Sequence, residues 1–115
     1  MQREPLTIED IDSATHGSRI LRLHGPITIL NLFDFQARVR ANTSHTLILD
    51  LSGVPYIDSA GIGALVGAYV NHNKENRSLA LVGVGERVLN ALRITHVDSF
   101  FRVFDSLAAA EQAAG

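Results

Sequence analysis

Hydrophobic and polar positions fall into a short alternating pattern at the start of the chain. Leu6, Ile8 and Ile11 alternate weakly, Arg19 to His24 (RILRLH) more clearly, and Ser13 to Ser18 with Gly17 lies between them. Two such runs joined by a glycine-containing turn predict an antiparallel hairpin. Gly25-Pro26 ends it. Ile27 to Leu30 then crosses toward a helix that Asn31 can cap. Asp34 is favourably placed in its first turn, and Leu32, Phe35, Gln36 and Val39 form its inner face. Ala41-Asn42-Thr43-Ser44 closes that helix.

The stretch Thr46 to Tyr69, TLILDLSGVPYIDSAGIGALVGAY, organises the rest. Leu47-Ile48-Leu49, closed by Asp50, is a continuous apolar run and predicts a strand buried on both faces. Ser52-Gly53-Val54-Pro55 turns the chain. From Ala60 a helical pattern runs to about His72, with Asp58 and Ser59 at its N-terminus, and Asn71 to Arg77 is a polar link. Leu79 to Val82 is a second buried strand, punctuated by Gly83 and Gly85. Glu86 to Arg93 predicts a helix with Val88, Leu89 and Leu92 inward. Val97 to Phe104 holds a short edge strand, and Asp105 or Ser106 caps a last helix docking through Leu107, Ala110 and Ala114. Strands and helices alternate after Thr46, which implies right-handed crossovers and a mostly parallel sheet there. The expectation is α/β: one small domain over residues 1–115, a mixed, mostly parallel four- to five-stranded sheet and about four helices.

Chemistry enters at the start of the long helix. A helix N-terminus carries unpaired N–H groups and the positive end of the macrodipole. A hydroxyl there, Ser59, can cap the helix or accept a phosphoryl group, and Asp58 reads as an N-cap with a docking role. At about 100° per residue, Ile62, Leu65, Val66, Tyr69 and Asn73 form the expected core stripe. Ala60, Gly63, Ala64, Gly67 and Asn71 fall opposite and should face water. Glycine in an exposed helix interior costs roughly 1 kcal/mol against alanine, so core packing does not explain two of them there. A smooth strip beside a hydroxyl suits close approach by another protein's backbone.

Composition narrows the classes. The chain has 115 residues, 46% hydrophobic and 19% charged, with net charge −2 and no cysteine. That suits one soluble domain with a single core. No basic block points to nucleic acid, and no thiol chemistry or Cys-based metal site is available. The longest uncharged apolar stretch, Ala60 to Val70, is too short to span a bilayer, and MQREPLTIED has no apolar signal core. The expected setting is cytoplasmic, with no membrane insertion.

Enzyme motifs are incomplete. At Ser59 the first glycine of a nucleophile elbow is replaced by Ile57, although His96 and Asp98 could be imagined as triad partners for a small serine hydrolase. No lysine follows the glycines as a phosphate loop requires. Gly61-x-Gly63 and Gly83-x-Gly85 lack the third glycine of a dinucleotide fingerprint, with Val66 and Val88 in its place. His16, His24, His45, His72 and His96 show no metal-ligand spacing and read as surface or turn residues. No metal, cofactor or catalytic residue is expected. Asp50 is expected to bond loop N–H groups and, with Gly53, to shape the loop before the helix.

ILDLSGVPYIDSAGIGAL resembles the signature of the STAS domain, and within it of bacterial anti-sigma-factor antagonists. The motif stands as Asp58-Ser59-Ala60-Gly61-Ile62-Gly63, and ERVLNALRITHVDSFFRVFDSLAAAEQA looks like the family's usual ending. The resemblance places the phosphorylated hydroxyl on Ser59 and Gly61 among the partner-binding residues. It implies an anti-sigma factor with serine kinase activity as partner and a phosphatase acting on phosphorylated Ser59. One departure stands at Thr28, where antagonists often carry an acid. Gly25 through Asn31 looks closer to STAS domains attached to anion transporters, so a non-switching scaffold or transporter-regulatory module is the alternative.

Overall fold

In the computed structural model, which describes residues 5–114, the hairpin opens the fold as expected. Strand β1 (Thr7–Asp12) pairs antiparallel with β2 (Ser18–His24). Helix α1 (Leu32–Ala41) leads to β3 (Thr46–Gly53), α2 (Ser59–Lys74) to β4 (Ser78–Val82), and α3 (Glu86–Ile94) with a 3-10 turn (Asp98–Phe100) to β5 (Arg102–Phe104). Helix α4 (Leu107–Ala114) is the last described element. The sheet order is β1-β2-β3-β4-β5, and β2 to β5 run parallel. Residues 1–4 and 115 of the expected domain lie outside the described residues.

Alternation along the parallel strands divides the core. Leu47, Leu49 and Leu51 of β3 join Leu21, Leu23, Leu79 and Leu81 beneath α1, α2 and α3, whose Phe35, Leu65 and Leu92 are fully covered. Ile48, with Ile20, Ala80 and Val82, points the other way and meets Ala110 of α4. Both faces of β3 are buried, which is why its sequence reads as an unbroken apolar run. Among the candidate caps of α4, the Ser106 hydroxyl accepts from the Ala109 amide at 3.1 Å.

Helix α2 outruns its sequence pattern. Its end is a Schellman turn: the Arg77 amide donates to the His72 carbonyl at 2.8 Å and Asn76 adopts φ +58°. An asparagine in the left-handed position gives a weaker stop signal than glycine, so the polar link shortens to residues 75–77.

His72 is buried at 2% exposure, against its reading as a surface or turn residue. Its Nδ1–H donates to the Ala68 carbonyl at 2.9 Å, and Nε2 has no partner among the described residues. Burial, reinforced by Arg77, holds its pKa below the ordinary 6.5 despite the Ala68 contact. As pH falls through about 6.5 the unfolded chain therefore takes up a proton that the native state refuses. Stability should be full above that pH and decline from there down to the depressed native value. Melting temperature measured from pH 8 to pH 5 should show this decline, and His72→Gln should flatten it. An unchanged pH slope in His72→Gln would contradict the assignment.

Candidate functional site

The loop from β3 to α2 delivers Ser59 to solvent at the first turn of α2. Asp58 is the N-cap: its Oδ1 accepts from the Gly61 amide at 2.8 Å. Its other oxygen, Oδ2, accepts from the Ile29 amide at 3.1 Å. Ile27 bridges Ile57, and the Asp58 amide donates to the Ile27 carbonyl, so the β2–α1 connection lies against this loop. One carboxylate joins two loops distant in sequence.

The face of α2 that meets the core is wider than the expected stripe, of which Leu65 is fully buried and Ile62, Val66 and Tyr69 pack against the core. Gly61, Ala64, Leu65, Ala68 and His72 are buried, at helical spacing, while Ile62, Val66 and Tyr69 are half-buried and Asn73 is exposed. Gly61 leaves the partner-binding residues because it is buried, and a Cβ there would overlap the Ile27 carbonyl oxygen and lie 2.6 Å from Ile57 Cγ1. Ala64 leaves them because it is buried, at the floor of the groove between α1 and α2, and Ala60 is half-buried against the core. The wheel misses Gly61, Ala64 and Ala68 because small residues let neighbouring backbone approach, so hydrophobic bulk marks only part of the buried stripe. Gly63 is exposed with nothing within 4 Å of a built Cβ, and Asn71 is also exposed. Gly67 is half-buried yet equally unobstructed. Gly67 and Asn71 line a groove of about 170 Å³ between α1 and α2, walled by Phe35, Val39 and Arg40.

Asp50 sits on the opposite face of the sheet, 5% exposed. Its Oδ1 accepts from the Ser52 amide at 3.0 Å and hydroxyl at 2.7 Å, and Oδ2 accepts from Arg22 Nε at 3.0 Å. Burial pushes its carboxyl up, but Ser52 and Arg22 outweigh this and hold it below the ordinary carboxylate range. Asp50 thus fixes the last turn of β3. A Cβ on Gly53 would come within 2.7 Å of the Leu23 carbonyl oxygen, so glycine permits the close passage of β3 beside β2.

His96 and Asp98 follow the C-terminus of α3, whereas Ser59 stands where β3 and β4 end and α3 begins. Nine helical residues, roughly 13 Å, separate the two ends. The imagined triad is not assembled. Among the described residues no group of three or more potential ligands is placed to hold a metal, and no helix is long and apolar enough to cross a membrane.

Sequence pattern does not single out Ile29, Leu30 and Phe33, because an apolar run reads as buried. They are 59%, 57% and 69% exposed. Asn31 is not the side-chain cap of α1: its Oδ1 accepts from the Thr28 amide and its Nδ2 donates to the Pro26 carbonyl, both at 2.8 Å. The turn is folded on itself, and its apolar side chains point outward.

Known proteins share this fold. The chain is similar to an anti-sigma-B factor antagonist of Staphylococcus epidermidis, 29% identical over 76 residues, 66% of this chain and 70% of that protein. A crystal structure of an anti-sigma factor antagonist from Mycobacterium paratuberculosis matches with a TM-score of 0.82 at 21% identity, over 95% of this chain and 93% of that one. A sulfate transporter family protein from Wolinella succinogenes matches with a TM-score of 0.74 at 26% identity, covering 90% and 88%. The STAS domain model matches residues 7–110, nearly the whole described fold including the Asp58–Gly63 turn. The chain belongs to the STAS domain family.

Proposed function

We propose that this protein is an anti-sigma-factor antagonist: it binds an anti-sigma factor that is also a serine kinase, frees the sigma factor, and is switched off by phosphorylation of Ser59. The observation that carries the reading is an exposed hydroxyl in the first turn of α2, beside a helix face bare at Gly63. The similarity to antagonists in sequence and fold supports it. The kinase transfers the γ-phosphoryl group of ATP to Ser59 Oγ, the hydroxyl proton leaves, and ADP is released. A phosphatase restores the hydroxyl by hydrolysis. The protein is the substrate of both enzymes and works in the cytoplasm.

Ser52 is a poor alternative. Its hydroxyl is bonded to the buried Asp50 carboxylate, and a phosphate there would face that charge. At Ser59 the helix N-terminus tolerates the added −1.5 to −2 charges, roughly, while the docking surface does not. Asp58, Ser59, Gly63, Gly67 and Asn71 form the helix half of that surface, and Asp50 and Gly53 shape the loop that presents it.

Titration of the anti-sigma protein into this one tests the reading. The unmodified protein should bind and displace sigma factor, and Gly63→Leu or Gly67→Leu should abolish binding with the fold intact. Tight binding by both leucine variants would move the docking face elsewhere. A protein that regulates a permease and ignores the anti-sigma factor would favour the transporter-module alternative.

A further inference from the structure

At the end of α2 remote from Ser59, a cavity of about 230 Å³ opens where β4 and β5 begin, and His72 forms part of its wall. The His72 ring is buried, and its Nδ1–H is turned back on its own helix, donating to the Ala68 carbonyl. That leaves the Nε2 edge to the cavity side, and in the neutral ring Nε2 is an acceptor. No group among the described residues donates to it. Arg77 also lines the cavity, but all three of its guanidinium nitrogens are engaged: Nε with the Ser44 carbonyl, Nη2 with the Asn42 carbonyl and Nη1 with Glu75. A buried acceptor without a donor costs stability, and native proteins give such atoms a partner.

The rest of the lining selects that partner. Tyr69 and the exposed Phe100 stack 5.6 Å apart at 6° and give the cavity an aromatic wall. Arg102 stands exposed at the start of β5, where it lies over Phe104 and pairs with no carboxylate among the described residues. A dry apolar cavity of about 150 Å³ admits benzene, so this one accepts a single ring with a short substituent. We propose that it binds a small aromatic acid: the ring lies against Tyr69 and Phe100, a ring O–H or N–H donates to His72 Nε2, and the carboxylate meets Arg102. Thirteen residues of α2, roughly 20 Å, separate His72 from Ser59. The site is therefore distinct from the switch and independent of the antagonist reading.

Nuclear magnetic resonance titration of the full chain with 4-hydroxybenzoate, benzoate and 4-hydroxybenzyl alcohol tests the site without any protein partner. The first probe should move the His72 Nε2 resonance and the ring signals of Tyr69 and Phe100 together, with the amides around Ser59 unmoved. It should bind at least about tenfold tighter than benzoate, which has no ring hydroxyl to donate to His72. It should also bind at least about tenfold tighter than the alcohol, which brings no charge to Arg102. Arg102→Gln, at an exposed position, should remove most of the advantage over the alcohol while the melting temperature holds. Equal affinity for all three probes, an advantage undiminished by Arg102→Gln, or shifts confined to another surface would overturn the assignment. So would a His72 Nε2 resonance that no probe moves, the result expected of a cavity that holds only water.

Discussion

Ser59→Ala is expected to bind the anti-sigma partner as tightly as the unmodified protein and to resist inactivation, leaving the pathway on. Phosphorylated Ser59 should bind at least about a hundredfold more weakly, a loss of about 2.7 kcal/mol. The alanine variant should not lose stability through a missing cap, because Asp58 and not Ser59 accepts the Gly61 amide. Alanine is also the better helix former at the first helical position. Ser59→Asp should fall between the two: an acid suits the helix N-terminus, but one carboxylate carries less charge and fewer acceptors than phosphate. Calorimetric titration with the partner separates the three forms. Equal affinity for Ser59→Ala and Ser59→Asp would mean that charge at this site is not the switch.

Gly61→Ala should be the most destabilising single-methyl change in α2. The added Cβ meets the Ile27 carbonyl oxygen and Ile57 Cγ1, part of the contact that joins the two loops. Backbone cannot yield as a flexible side chain does, so the cost is roughly 1–3 kcal/mol or more. That is a large share of the 5–15 kcal/mol, about, that typical domains possess. Gly63→Ala, two residues on, meets nothing within 4 Å and should stabilise by up to about 1 kcal/mol through helix propensity. Thermal unfolding of the pair checks this. A melting temperature for Gly61→Ala equal to the wild type would mean that the Ile27 connection is not packed as described.

The fold was legible where burial is written in bulk. Leu47-Ile48-Leu49 and Leu79 to Val82 announce doubly covered strands, and turn residues after each announce crossovers. The site was legible in part, since Asp58 and Ser59 can be placed at a helix tip from the strand–turn–helix order alone. The inner face of α2 was legible at Ile62, Leu65, Val66 and Tyr69 but not at Gly61, Ala64 and Ala68, which make contact by their smallness. A hydrophobic wheel counts such residues as outward. His72 escaped for a related reason: its ring is satisfied at Nδ1 by a carbonyl one turn back, a bond with no sequence signal. Ile29 and Leu30 misled in the opposite sense, because Asn31 and Thr28 fold the turn so that apolar side chains face water. Long-range hydrogen bonds such as Asp58 to Ile29, 29 residues apart, lie beyond any local pattern.

Incubation with the kinase-type anti-sigma factor and ATP, followed by intact mass and peptide mapping of the product, decides whether Ser59 is the switch. One phosphate should appear, on Ser59, in step with loss of the complex. Phosphate on Ser52 or Ser99 with Ser59 untouched, or a complex that survives full phosphorylation of Ser59, would contradict it.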